Sequence, residues 1–432
     1  VLLTGVVRPP IAPRGARALD TALCLALIVV ALQLVPLPPP LRLTLSPASA
    51  TMDRGLRLDA GGDPLSGPAR ALTVDAEATS RALALGVALV LIFWSARALL
   101  SRGAVRRTIR AVSWCGLIAS TIAIVQHATA PKLLYWVWRP LIANARPFGP
   151  FVNRNDLATW LVMAMPLTLG YIVAHVDASR HEGRALDIEQ VVDERVVWLG
   201  ASVCAMAAAL IVSLSRSGLI AAGAALVSLV WFSRRRLRGR GRVWLLGGIG
   251  LVTLVAAAYA NPGALATRVG ETLDVGVGGR RQIWSDTIAM VRDFWRTGVG
   301  VGAYQRAMVL YQGPHVFSFN HAHNEYLQIV AEGGALLALP VAAAIVAGAF
   351  EIASRLHQDR TPVFWLRAGA ASALTAIGVQ SVWETGLRMP ANAVLFIVCA
   401  AIAVHRGAAG PSSRGQVNRT VGDRSTRAAT DV

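Results

Sequence analysis

Residues 321–334 read HAHNEYLQIVAEGG, and they gather groups that could move a proton next to a long apolar run. Of eight histidines, three (His315, His321 and His323) fall within nine residues. An imidazole titrates at about 6.5 and can take a proton near neutral pH, so His323 is the candidate base, with His321 beside it. Asn324 is a residue type that caps helix N-termini. Glu332 stands about two turns into the apolar run, where an ionisable group is either functional or a helix–helix hydrogen-bonding partner. His321 and His323 also have the character of metal ligands, but no third ligand is evident. Cys24, Cys115, Cys204 and Cys399 form no CxxC or Cys/His pattern, so no metal is expected.

Arginine supplies the complementary chemistry. Its planar fork of donors matches phosphate oxygens, and Arg139, Arg146, Arg154, Arg216, Arg280 and Arg281 all flank apolar runs on the histidines' side. Arg216 sits between two such runs with no carboxylate adjacent, which reads as a cation facing an anionic ligand. The stretch GRRQIWSDTIAMVRDFWRTGVGVGAY at 279–304 opens with helical spacing and breaks at Gly298, Gly300 and Gly302. A GxGxG with no preceding strand is a tight turn rather than a nucleotide loop.

The elements that must position these groups are membrane helices. The 432 residues are 54% hydrophobic, with a mean hydropathy of +0.51, and runs such as 243–260 approach the ~20 residues that cross about 30 Å of hydrocarbon. The fold class is therefore all-α and polytopic, with ten predicted spans near 20–36, 80–99, 110–128, 156–175, 196–215, 217–232, 243–260, 325–350, 363–384 and 390–405. Pro36, Pro38, Pro39 and Pro40 end the first, and Pro340 is placed to kink the eighth.

The net charge of +18 comes almost wholly from arginine, Lys132 being the sole lysine. Its distribution between apolar runs, on no single face or tail, argues for basic loops at a lipid bilayer and against nucleic acid. Short loops dense in arginine, Arg102 to Arg110 and Arg234 to Arg242, mark the cytoplasmic side. Residues 1–19 are then a cytoplasmic segment and 20–405 the membrane domain. Residues 261–324 form a large outer loop, periplasmic in a two-membrane bacterium, and 406–432 a disordered cytoplasmic tail.

Four stretches resemble the O-antigen ligase and O-antigen polymerase superfamily, which also contains protein O-oligosaccharyltransferases. They are LQLVPLPPPLRLTLSP (32–47), FGPFVNRNDLATWLVMAMPLTLG (148–170), SLSRSGLIA (213–221) and HAHNEYLQIVAEGG. The family's His–Asn, nine residues, Gly pattern is met by His323, Asn324 and Gly334, while Leu337 departs from it at the last position. Members have about twelve helices, so the resemblance implies two more before residue 1, where the chain opens on Val. It implies an undecaprenyl-diphosphate-linked glycan donor and a hydroxyl acceptor on a glycolipid, polysaccharide or protein, reacting at the periplasmic face of the bacterial inner membrane. His323 would be the base. Arg216, Arg280 and Arg281, with Arg154, would clamp the diphosphate, and no cofactor or metal is needed. Alternatives are a polymerase of the same superfamily and a transporter of lipid-linked sugar, although transporters favour mid-membrane polar groups and internal repeats. A reporter active only outside the cytoplasm is expected to work when fused near Gly313 and to be silent near Arg238. The opposite pattern would put His323 inside the cell.

Overall fold

Apolar chain in hydrocarbon must pair its own backbone groups, and helices do so within one segment. The computed structural model describes residues 14–56, 68–141, 147–181, 193–236, 278–313 and 319–405, and among these every regular element is helical apart from isolated bridges. The first half comprises α1 (Arg14–Leu32), the short α2 (Pro39–Leu45) and α3 (Ser49–Gly55), α4 (Ala76–Leu99), α5 (Val105–Thr129) and α6 (Arg154–His181). Then follow α7 (Glu194–Val212), α8 (Arg216–Ser233), α9 (Gly278–Asp293), α10 (Tyr304–Met308), α11 (Glu325–Gln358), α12 (Val363–Gln380) and α13 (Pro390–Val404). Asp75, Asp193, Ser215 and Asn324 cap their helices by accepting from the N–H three residues on.

Among the described residues, six helices are long and apolar enough to cross a membrane: α4, α5, α6, α7, α8 and α11. Helices α1, α12 and α13 occupy three further predicted positions but are shorter, more charged or less apolar. The predicted span 243–260, residues 261–277 of the loop, Arg146, His315 and the tail 406–432 lie outside the described residues. Two expectations are corrected. Arg216 does not separate two spans but is the first residue of α8, after a turn at 213–215 in which Leu214 has φ of 53°. The ninth predicted span, 363–384, ends earlier as well: α12 stops at Gln380, leaving Glu384 in the following turn.

The centre of the bundle is α12, buried on nearly all sides against α6, α8 and α13. Small residues let α6 and α12 touch backbone to backbone. A methyl group on Gly369 would lie 2.4 Å from the Pro166 carbonyl oxygen, and one on Gly170 would lie 2.4 Å from that of Trp365. Charges are kept to the two ends. At one end Arg97 meets Asp20 at 2.6 Å, and Arg367 binds Asp359 at 3.0 Å and the His405 carbonyl at 2.6 Å. The arginine-dense stretches at 105–110 and 233–236 belong to this arginine end, where Arg236 donates to the carbonyls of Asp359 and Thr361.

The opposite end is organised by a break in α11. At Gly334 (φ 58°, ψ −163°) the chain leaves helical geometry, in a region that essentially only glycine occupies, whereas Pro340 sits within helical backbone. The Gly298–Gly302 turn repairs the break. Ala335 and Leu336 donate to the carbonyls of Trp295 (2.7 Å) and Arg296 (3.1 Å), while Val299 and Gly300 donate to those of Ala331 (3.0 Å) and Glu332 (2.9 Å). Gln33, at the end of α1, threads the same splice: its amide donates to Thr297 and Glu332 carbonyls and accepts from Val301. Outside this splice, Arg42 and Asp53 pair at 2.6 Å and hold α2 against α3. A methyl group on Gly298 would sit 2.2 Å from the Glu332 carbonyl carbon and oxygen, whereas one on Gly200 in α7 meets nothing within 4 Å. Gly298→Ala should therefore cost on the order of 2 kcal/mol and lower the thermal midpoint in detergent. Gly200→Ala should leave the midpoint unchanged or slightly raised, and equal midpoints for the two variants would discount the splice.

Candidate active site

The turn that follows α12 carries the residue on which the site converges. Its backbone is pinned by Asn392, whose amide donates to the carbonyls of Asp156 (3.1 Å) and Gly386 (2.9 Å). Gly386 packs so closely on Thr159 that an added methyl would meet its hydroxyl at 2.4 Å. This turn delivers Glu384, almost wholly buried, between the first turns of α6 and α8. Its Oε1 accepts from Arg280 Nη2 (2.9 Å), Asn155 Nδ2 (3.0 Å) and, at longer range, Ser217 Oγ (3.4 Å). Burial raises the pKa of Glu384, opposed by the charge and hydrogen bond of Arg280.

Across from Oε2 stands His323. Its Nδ1 lies 4.0 Å away, too far for a hydrogen bond, yet that nitrogen is covered and has no other partner, while the ring is 43% exposed. The open part of the ring is therefore not the part that faces the carboxylate. His323 has φ of +50°, a conformation uncommon outside glycine, taken up immediately before the α11 cap. Burial, then the nearby Arg280 and His321 charges, lower its pKa to about 4. Trp284 of α9 donates to the Ala322 carbonyl at 2.9 Å and so holds the histidine segment against the helix that carries Arg280.

A second buried pair lies alongside. Arg388 reaches Glu332 at 3.0 Å and Glu325 at 3.5 Å, and Gln328 donates to Glu332 at 3.0 Å while accepting from the Ala322 N–H at 2.7 Å. Burial works against the Arg388 charge, but the two glutamates outweigh it and its pKa is raised. Burial, and then the Arg388 charge, lower the pKa of His321 here. Glu332 is thus part of a packed ion-pair network, and Asn324 serves as the α11 cap.

The structure therefore brings His323 and Arg280 together on Glu384 and places Glu332 and His321 in the adjoining network. Arg216 and Arg281 are exposed, each next in sequence to a ligand of Glu384, and neither forms an ion pair among the described residues. Arg154 opens α6, one residue before Asn155. A cation in the first turn of a helix is disfavoured by the helix dipole, so Arg216 at the start of α8 is better suited to an anion than to stability. No group of three or more His, Cys, Asp or Glu able to hold a metal occurs among the described residues. Glu384, Asn155, Ser217 and Arg388 escaped the sequence reading. The rule that singled out Glu332, an ionisable group at the edge of an apolar run, applies equally to Glu384 and Arg388.

Residues 201–342 match the O-antigen ligase family model. Over that stretch the chain is similar to the O-antigen ligase domain. The match contains Arg216, Arg280, Arg281, His321, His323, Asn324 and Glu332, and it stops short of Glu384 and Arg388. No curated protein matches the chain. Within the matched stretch, the coupling of His323 to Arg280 can be measured directly. In protein labelled at histidine with ¹³C, the resonance lost in His323→Gln should titrate near 4, so the ring is neutral above that pH. Arg280→Met removes the opposing charge and should move the titration upward. A resonance titrating at 6.5 in both proteins would dismiss the coupling.

Proposed function

We propose that the protein is a membrane glycosyltransferase of O-antigen ligase type. It transfers a glycan from an undecaprenyl-diphosphate-linked donor to a hydroxyl on a glycolipid, polysaccharide or protein. The reaction takes place at the periplasmic face of the bacterial inner membrane. One observation carries this reading: a histidine facing a buried carboxylate, with Arg216 and Arg281 alongside and without carboxylate partners among the described residues, in a bundle whose residues 201–342 are similar to the O-antigen ligase domain. The arginine-dense stretches lie at the other end, which by the positive-inside rule is cytoplasmic and favours an outward-facing site.

The chemistry follows from the groups present. His323 accepts the proton of the acceptor hydroxyl at Nε2, with Nδ1 turned towards Glu384. The hydroxyl oxygen forms a bond to the anomeric carbon as the bond from that carbon to the diphosphate oxygen breaks. The electron pair leaves on the lipid diphosphate, where Arg216, Arg281 and Arg280 receive the charge through forked hydrogen bonds, with Arg154 near the start of α6. No nucleotide is required, because the donor linkage is already activated.

A broken span such as α11 is also a hallmark of transporters, in which unwound backbone binds the cargo. Here the groups exposed at Gly334 are taken up by residues 295–301 and Gln33, which favours a structural role for the break. His323→Ala should reduce transfer from purified lipid-linked donor by about 10²–10⁴-fold while donor binding persists. His321→Ala should be milder, and chelators should have no effect. Near-normal turnover in His323→Ala would refute the proposed base, whereas severe loss in both variants together with chelator sensitivity would indicate a metal.

A further inference from the structure

The geometry around Glu384 is incomplete in an informative way. A covered nitrogen without a partner is rare in a folded protein and calls for a physical reason. His323 Nδ1 is one, and it faces, at 4.0 Å, a carboxylate oxygen, Glu384 Oε2, that accepts no hydrogen bond among the described residues. The carboxylate is held back on its other side. Oε1 takes Arg280, Asn155 and Ser217, so all of its donors pull Glu384 away from the histidine. Of those three, Arg280 alone is charged, and its side chain is about a third exposed.

We propose that the diphosphate of the donor draws Arg280 off Glu384, and that Glu384 then closes its Oε2 onto His323 Nδ1, so that the base is set only when donor is bound. This rests on the proposed function and adds to it an order: donor before acceptor. The charges facing His323 all bear on the switch. Arg280 on α9 opposes protonation of the ring, as does His321 in its own segment; Arg388 acts on His321, and Asp156 at the start of α6 raises the proton affinity of Glu384. With Arg280 neutralised by phosphate oxygens, the nearest uncompensated charge is the Glu384 carboxylate. A hydrogen bond from Nδ1–H to that carboxylate then stabilises the imidazolium formed when Nε2 takes the acceptor proton. Without donor, an acceptor hydroxyl meets a histidine too weakly basic to take its proton.

The probe is undecaprenyl diphosphate, the donor without its glycan, added to full-length protein in nanodiscs, with the ¹³C-histidine resonance of His323 as readout. Binding is followed in parallel with radiolabelled lipid. Saturating lipid should move the His323 titration from about 4 towards or beyond 6.5. In Glu384→Gln, which keeps an acceptor for Arg280 but no charge, the lipid-induced rise should be lost or much reduced. Arg280→Met should show the raised value before any lipid is added and little further change. Bound lipid with an unmoved His323 titration would overturn the switch and leave the proposed function standing. A full rise in Glu384→Gln would likewise overturn it. Failure of the lipid to bind would bring down the proposed function and the switch together.

Discussion

A helix in hydrocarbon cannot drop backbone hydrogen bonds unless other groups take them up, and the break at Gly334 imposes that constraint on this protein. The Gly298–Gly302 turn meets it by lying edge-on against α11, so close that side chains at Gly298 and Gly334 are excluded. Its consequences reach the site. The turn continues directly from α9, so fastening it to α11 also fixes where α9 lies. Arg280 on α9 can then reach Glu384, and Trp284 can hold the strand of chain that ends in His323. Gln33 extends the same fastening to α1, three hundred residues away in sequence but adjacent in space.

Two arginine–glutamate pairs share this region, and they are crossed. Arg280 precedes α11 and pairs with Glu384 beyond α12; Arg388 lies beyond α12 and pairs with Glu332 within α11. Neither pair is an obvious source of stability, since withdrawing two charges from water costs nearly as much as their attraction returns, while removing one partner is costly. Their value is geometric. Each ties the segment after α12 to the segment around α11, and together they prevent the turn that bears Glu384 from rotating away from His323. The Arg388 pair has the more deeply buried carboxylate, Glu332, and serves as the anchor. The Arg280 pair, nearer the surface, keeps a guanidinium accessible.

Much of this was legible beforehand because it follows from simple periodicity and burial. The apolar runs near 80–99, 110–128 and 156–175 fall within helices at 76–99, 105–129 and 154–181, and Asn324 caps a helix as its residue type implies. What escaped depends on contacts distant in sequence. Pro340 is the natural place for a kink because proline lacks a donor, but the break falls at Gly334, where the freed N–H groups of Ala335 and Leu336 find the carbonyls of Trp295 and Arg296, which no local pattern reveals. Glu384 was hidden for a different reason. It closes an apolar run and was absorbed into the predicted span, although α12 ends four residues before it. Arg216 stands out in the sequence for lacking an adjacent carboxylate, but it opens a helix rather than filling the gap between two.

The contact between α6 and α12 has a mechanical consequence. Where Gly170 and Gly369 meet carbonyl oxygens of the facing helix, no side chain intervenes that could change rotamer and absorb a displacement. The two helices behave as a single stiff post through the middle of the molecule, with Asn155 and Glu384 carried at its top. A displacement at the site must therefore be taken up elsewhere than between these two helices. The post supplies the carboxylate, and α9 and the entry to α11 bring the arginine and the histidine to it.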